Sequence, residues 1–329
     1  MVRSIRQVLL FVCYAASASI LAVAAQAASF PVRPVQLIVG FDPGGSTDLL
    51  ARLLAAALTK KWHEAVTVEN RPGADAIIAT QMVATAPPDG YTLLFSNNNL
   101  TIVADERKLP YNPITSFEPI CMLVTQPEIL MANRTVPANS LEQLITYVKA
   151  RPGKLNFASA GTGTLSYLGM KMLMDATGMN MVNITFHSSA PSLVSLLGNE
   201  TQLSLLSVTV AKAFVESGKL KAFGTTTDMR VPAMADVPTI AEAAHLPDFN
   251  LGDWDGVLAP AGTPQAVIDE IYTDIAEIRG SPDFQKTVRG RGMLPVDDTR
   301  QQFAQFIEKD LQRWKGVIAA NDPGQSPSR

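Results

Sequence analysis

Three loops of this chain have a composition that suits the binding of an anion. They are Asp42–Asp48, Ser159–Thr164 and His187–Ser189, and each lies between a β-type run and a run with helical spacing. The start of a helix presents unpaired backbone N–H groups and about half a positive charge. Glycine lets the main chain approach a ligand closely, and serine or threonine hydroxyls add donors. We therefore expect an anion to bind where these helix starts converge.

The charge of the loops narrows the class of anion. They contain no lysine or arginine, and His187 is the only residue in them that could become cationic. Loops that offer amides and hydroxyls alone are better suited to bind a carboxylate than a polyphosphate. One helix start contributes typically ~0.3–1 kcal/mol, so two or three must meet at one point. The alternative is structural, because strand-to-helix turns favour the same residue types for capping and packing.

The segments around the loops predict α/β layering. Val35–Phe41 has the pattern of a buried strand, and Leu50, Leu53 and Leu54 begin a helical repeat after the first loop. Strand-like and helical runs continue to alternate along the chain. In an open α/β sheet, loops of this kind lie at the carboxyl ends of the strands, where ligands bind.

The length predicts two lobes. The chain has 329 residues, and domains usually contain ~100–200 residues. We expect residues 28–130 and 250–329 to form a first lobe and residues 131–249 a second lobe, with the ligand in the cleft between them.

The N-terminus has the layout of a secretory signal peptide. Arg3 and Arg6 precede the apolar run Val8–Val12, and Ala25–Ala27 offers an A-x-A cleavage site. We predict a signal peptide over residues 1–27 and a periplasmic mature protein. A transmembrane anchor is the alternative for this segment. No later segment approaches the ~20 consecutive apolar residues that a membrane span requires.

The net charge limits the classes of binding partner, and the cysteine content limits the possible disulfides. The formal net charge of −3 becomes −5 on cleavage, because two arginines and no acids are removed. A weakly acidic chain without basic clusters is a poor candidate for binding nucleic acid or an anionic membrane. Cys121 is the one cysteine of the mature chain, so an internal disulfide is excluded. We expect a monomer whose fold rests on its core.

Patterns typical of enzymes are missing from the sequence. The chain has no phosphate-loop motif, no G-x-G-x-x-G after a strand and no G-x-S-x-G nucleophile elbow. His63, His187 and His245 are far apart and lack the spacing of a zinc site. We expect no metal, no cofactor and no catalysis. An exported hydrolase or isomerase with Asp48 or His187 as general base is the alternative, although neither residue has an activating partner at a suitable spacing.

Ordered motifs along nearly the whole mature chain carry a family resemblance. They include Pro43–Asp48 (PGGSTD), Val68–Ala74 (VENRPGA), Ala86–Leu93 (APPDGYTL), Phe157–Gly161 (FASAG) and Leu258–Pro264 (LAPAGTP). In these motifs the sequence resembles the Bug-type solute-binding proteins of tripartite tricarboxylate transporters.

The resemblance implies a fold, a ligand class and a set of binding residues. The fold would be the two-lobe periplasmic binding protein-like fold of type II, which closes on a small carboxylate. The partners would be the membrane permease subunits of a tripartite transporter, or a sensor kinase if the protein acts as a receptor. Transferred to this chain, the ligand-binding residues would be Phe41, Pro43, Gly44, Gly45, Ser46, Thr47 and Asp48 on one side, Ala160, Gly161, Thr162 and Thr164 opposite them, and Ser96, Asn97, Asn98, Tyr167, His187, Ser207 and Trp254 around the rest of the ligand.

Some positions depart from the family pattern. Leu205–Ser207 stands where relatives often have Phe-Asp-Asn, and without that acid an amino group on the ligand is less expected. Asp255 follows Trp254 in place of the common aromatic residue. From these departures we expect a neutral, apolar distal end of the pocket and an aromatic or short-chain monocarboxylate as the ligand.

Overall fold

The computed structural model of the protein describes residues 30–106, 108–247 and 249–321. The predicted signal peptide, residues 1–27, lies outside the described residues. Within the described ranges, no helix is both long enough and apolar enough to cross a membrane.

Strands and helices alternate along the described chain, as predicted. The strands are β1 (Val35–Val39), β2 (Val66–Asn70), β3 (Thr92–Asn97), β4 (Phe117–Asn133), β5 (Asn156–Ser159), β6 (Val182–Thr185), β7 (Leu203–Ser207), β8 (Leu220–Thr225), β9 (Gly252–Pro260) and β10 (Leu294–Pro295). The α-helices are α1 (Ser46–Trp62), α2 (Ile77–Ala84), α3 (Asn99–Glu106), α4 (Leu141–Lys149), α5 (Leu165–Thr177), α6 (Ser189–Leu197), α7 (Val208–Glu216), α8 (Ile240–Ala244), α9 (Gln265–Gly280), α10 (Pro282–Gly290) and α11 (Arg300–Asn321).

The strands form two groups that share the long strand β4. In the first group, β2, β1 and β3 are parallel, and the antiparallel strands β9 and β4 follow in the order β2-β1-β3-β9-β4. In the second group, β4 pairs with β7 and β8, and β7 continues to the parallel strands β5 and β6. Along β4, pairing with β9 ends at Pro127 and pairing with β7 begins at Glu128. We refer to the elements around these two groups as the first and second lobes, and the boundaries at residues 130 and 250 stay a prediction.

Each lobe has its own core. Leu37, Leu54 and Ile271 belong to the buried cluster of the first lobe, whereas Phe157 and Leu173 belong to that of the second. Burial of such side chains provides roughly 25 cal/mol for each Å² of apolar surface removed from water.

Helix α11 packs on both lobes. Phe303 and Ile307 pack with apolar residues of the first lobe, and Trp314 packs in the core of the second. Together with β4 and β9, this helix holds the lobes face to face, and the predicted loops lie where the lobes meet.

Candidate functional site

A narrow cleft with a cavity volume of about 40 Å³ lies between the two lobes. Both lobes contribute to its lining, which is rich in Gly, Ser, Thr and Asn. The lining residues are Phe41, Gly45, Ser46, Thr47, Asn97, Asn98, Asn99, Glu128, Ala160, Thr164, Leu165, Ser166, Ser188, Ser189, Leu205 and Asp253.

The start of α1 forms one wall of the cleft. Gly45 is its N-cap and lacks a side-chain cap. Asp48, in the first turn, accepts hydrogen bonds from Gly44 N (2.9 Å), Arg52 Nε (3.0 Å) and Asn70 Nδ2 (2.9 Å). Burial raises the pKa of Asp48, but these hydrogen bonds outweigh it, so the pKa lies below the ordinary value. Asp48 therefore holds the loop in shape and does not line the cleft.

The starts of α5 and α6 form the opposite wall. At the start of α5, Thr164 Oγ1 donates to Gly161 O over 2.6 Å, and Ser166 Oγ accepts from Ala160 N over 3.0 Å. At the start of α6, the hydroxyl of Ser188 is buried and has no hydrogen-bond partner among the described residues. The walls nearly touch, since a Cβ atom built on Gly44 would lie 3.7 Å from Ala190 Cβ.

N-cap residues with a hydroxyl group differ in whether they cap their helix, and Ser207 of α7, outside the cleft lining, makes no cap bond. Away from the cleft, the N-cap residues Ser140 and Thr239 accept a hydrogen bond from the backbone N–H three residues later. At the cleft, Thr164 and Ser188 occupy the same position but make no such bond. The first backbone N–H groups of α5 and α6 are thus left for another acceptor, which is the arrangement that anion binding requires.

Buried carboxyl groups lie in the same cleft, and the sequence-based interpretation missed them. Glu128 and Asp253 line the cleft, and Asp255 is fully buried beside them. Burial raises the pKa of all three carboxyl groups, that of Glu128 to about 8, and the charge of Asp255 adds to this for Glu128 and Asp253. The expectation of a distal end without acids was wrong, because carboxylates from β4 and β9 replace the acid absent at Leu205–Ser207.

The acids are held by a polar network. Asp253 Oδ1 accepts from Trp254 N (2.9 Å) and Asn98 N (3.3 Å), and Gln126 Nε2 donates to Asp255 Oδ2. Within the described part of the chain, no group of three His, Cys, Asp or Glu side chains is arranged to hold a metal ion.

The predicted binding residues separate into three groups in the structure. Those that line the cleft are Phe41, Gly45, Ser46, Thr47, Asn97, Asn98, Ala160 and Thr164. His187 lies in a neighbouring cavity with Gly40 and the loop of residues 73–76. The other predicted residues do not line the cleft: Pro43, Gly44, Asp48, Ser96, Gly161, Thr162, Tyr167, Ser207 and Trp254.

The packing of three of these residues explains why they lie elsewhere. Trp254 is 1% exposed, its ring packs edge-on against Phe303, and its Nε1 donates to Asp310 Oδ2 over 3.0 Å. Tyr167 stacks on Phe157 in the core of the second lobe. Gly161 is covered from the first lobe, because a Cβ atom built on it would collide with Asp75 Oδ1.

Comparison with known proteins identifies the family. Residues 50–322 match the family model described as the tripartite tricarboxylate transporter family receptor. The protein belongs to this family. Among curated proteins, a UPF0065 protein of Bordetella pertussis is 36% identical over 296 residues, which are 89% of this chain and 91% of the relative. The protein BugT of the same organism is 33% identical over 293 residues, which are 88% of this chain and 90% of BugT.

Solved structures agree with this assignment. The periplasmic binding protein BugD superposes with a TM-score of 0.85 at 34% identity, covering 89% of this chain and 98% of BugD. The R. palustris protein Rpa4515 with adipate gives a TM-score of 0.86 at 30% identity and covers 89% of this chain and 98% of its own. MatC from Rhodopseudomonas palustris with bound malate gives a TM-score of 0.83 at 31% identity. The match covers 88% of this chain and 100% of MatC.

These comparisons confirm the resemblance to Bug-type receptors and the two-lobe α/β periplasmic binding protein-like fold. As a member of this receptor family, the protein is a solute-binding protein and not an enzyme.

Proposed function

We propose that the protein captures a small carboxylate in the periplasm and presents it to the membrane permease subunits of a tripartite transporter. The observation that carries the proposal is the convergence of the starts of α1, α5 and α6 on one cleft. The described residues that line this cleft include no Lys, Arg or His. Backbone N–H groups and helix dipoles then supply the positive potential that binds the carboxylate.

Two further observations support this function. The solved structures of relatives hold adipate and malate, which are both carboxylates. The predicted signal peptide would deliver the chain to the periplasm, where a receptor of this family meets its ligand. Closing the two lobes removes water from the bound carboxylate and strengthens each hydrogen bond to it.

A thermal-shift screen followed by titration calorimetry tests the proposal. Organic acids, including malate, adipate, succinate and benzoate, are the probes. A true ligand at 100 times its dissociation constant stabilises the protein by about 2.7 kcal/mol.

Gly45→Val is the variant that tests the cleft. A Cβ atom on Gly45 has no neighbour closer than 3.9 Å, so the backbone tolerates it, while the valine methyl groups fill the space at the start of α1. We expect affinity to fall roughly tenfold or more. Gly280→Val, at the end of α9 with no atom within 4 Å of the new Cβ, is the control and should retain binding. Equal affinity of both variants for the hit would contradict the proposal.

A further inference from the structure

The cleft has a positive pole at the helix starts and a negative pole of buried acids, and the two adjoin at α1, where Asn97 Nδ2 lies 3.4 Å from both Thr47 Oγ1 and Asp253 Oδ2. The starts of α1, α5 and α6 present backbone N–H groups from Gly45, Thr164 and Ser188 onward. Glu128 and Asp253 line the same cleft, and Asp255 lies directly beside them. A simple carboxylate satisfies the first pole and leaves the second without a partner.

Glu128 is the member of the negative pole with no partner at either carboxyl oxygen, whereas Asp255 lacks one at Oδ1 alone among the described residues. Asp253 and Asp255 accept hydrogen bonds from Asn98 N, Trp254 N and Gln126 Nε2. By contrast, the carboxyl group of Glu128 makes no hydrogen bond or ion pair to any described residue, although the residue is only 6% exposed. A buried carboxyl without a partner is costly. Its partner is therefore expected to enter with the ligand.

Asn98 provides an independent sign of a ligand in the same place. The residue is 1% exposed and lines the cleft, and neither Nδ2 nor Oδ1 of its amide has a hydrogen-bond partner among the described residues. An amide donates through nitrogen and accepts through oxygen. One Asn98 side chain can thus donate to a carboxylate and accept from an N–H group of the same molecule.

Building on the proposed function, we infer that the ligand is a small amino carboxylate, with its carboxylate at the helix starts and its ammonium group paired with Glu128. Asp253 and Asp255 add negative potential around the ammonium group. A second carboxylate in this place would face three carboxyl groups with no basic side chain among the described cleft residues.

Pairing of an ammonium group with Glu128 should release a proton from this side chain. Burial and the charge of Asp255 raise the pKa of Glu128 to about 8, so the empty protein holds a proton there at neutral pH. The groups that face it are Asp253 and Asp255. An ammonium group displaces this proton, so affinity should rise between pH 6 and pH 8, and binding at pH 7 should release about one proton.

Matched ligand pairs test the inference by calorimetry. Each pair is an amino acid and its deaminated counterpart: aspartate and succinate, glutamate and glutarate, 4-aminobutyrate and butyrate. We expect the amino member of at least one pair to bind at least about tenfold more tightly, because the hydrogen bond from its ammonium group to Glu128 joins two charged groups. Repeating the titration in two buffers of different ionisation enthalpy measures the released proton.

The substitution Glu128→Gln removes the charge of the side chain and keeps its shape, so it tests the role of the charge alone. The variant should lose roughly tenfold or more in affinity for the amino member and little for the deaminated one, whereas Glu128→Asp should retain part of the preference. Glu118→Gln, at the other end of β4, is the control and should behave as the wild type. Circular dichroism checks that each variant folds.

Two results would overturn the inference. Tighter binding of the deaminated members, or proton uptake on binding, would show that Glu128 donates to a second carboxylate; the proposed carboxylate capture would then still stand. Failure of both members of every pair, with no hit in the organic-acid screen, would remove the inference and the proposed function together.

Discussion

At the scale of single residues, Glu128 lowers the stability of the empty protein at neutral and basic pH. Its pKa is about 8 in the folded protein, against an ordinary value of 4.5. Between these two pH values the folded state holds a proton that the unfolded state has lost. Stability is therefore full below the unfolded pKa and falls as pH rises toward 8, by about 1.4 kcal/mol for each pH unit and each such group.

Replacing Glu128 by Gln should reverse this loss. We expect Glu128→Gln to unfold at higher urea concentration than the wild type at pH 8, and at nearly the same concentration at pH 4.5. The stability of the variant should still fall with rising pH, but less steeply, because burial also raises the pKa values of Asp253 and Asp255. The measurement is urea unfolding between pH 4.5 and pH 8.5, with Glu118→Gln as the control. A slope as steep as that of the wild type would show that Glu128 does not titrate in this range.

At the scale of elements, the loop before α2 holds a conformation that its side chains disfavour. Ala74, Asp75 and Ala76 follow one another with φ of 49°, 55° and 69°. Each residue with a Cβ in this left-handed region costs roughly 1–2 kcal/mol. Helix α2 begins directly after this turn, at Ile77. The turn carries Asp75 across to Gly161 of the second lobe.

Ala74→Gly should relieve part of this strain. Ala74 is exposed, so the lost methyl group contributes little burial, and the net gain should be about 0.5–1 kcal/mol after the entropy of the added glycine is subtracted. Gly153→Ala is the reciprocal control: its φ is 67° and its new Cβ meets no atom within 4 Å, so it should lose about 1 kcal/mol for backbone reasons alone. Thermal or urea unfolding measures both, and a loss of stability in Ala74→Gly would contradict the assignment of strain.

Among the elements of the site, the sequence predicts the loops at the helix starts but not the buried acids. The loops at Gly45, Thr164 and Ser188 were predictable, because Gly, Ser and Thr between a strand and a helix are a local signal. The acids were not, since the pairing of Glu128 with Ser207 joins residues far apart in sequence. In β9 an available signal was overlooked: side chains alternate between faces, so Asp253 and Asp255 share a face that Trp254 does not.

At the scale of the whole molecule, Glu128 lies at the point where strand β4 passes from the first lobe to the second. Strand β4 leaves β9 at Pro127 and joins β7 at Glu128, so a change in the angle between the lobes acts directly on the binding site. Receptors of this architecture close around their ligands by hinge motion. A ligand that contacts both walls only in the closed form would shift the protein toward closure.

A disulfide across the cleft should fix the closed form. Gly44 and Ala190 have Cβ positions 3.7 Å apart, within the 3.5–4.5 Å usual for a disulfide. The bridge from residue 44 to residue 190 should stabilise the protein by roughly 4–5 kcal/mol, which exceeds the cost of a side chain at the left-handed Gly44. Cys121 is fully buried and should not compete.

Small-angle X-ray scattering of Gly44→Cys/Ala190→Cys then measures opening in the absence of ligand. We expect the oxidised variant to have a smaller radius of gyration than the reduced variant and the empty wild type, because the bridge forbids the hinge motion that the free lobes make. The oxidised variant should also bind added ligand slowly or not at all, since the entry to the cleft is closed. If the radius of gyration and the rate of binding are the same in both redox states, the lobes do not open to admit the ligand.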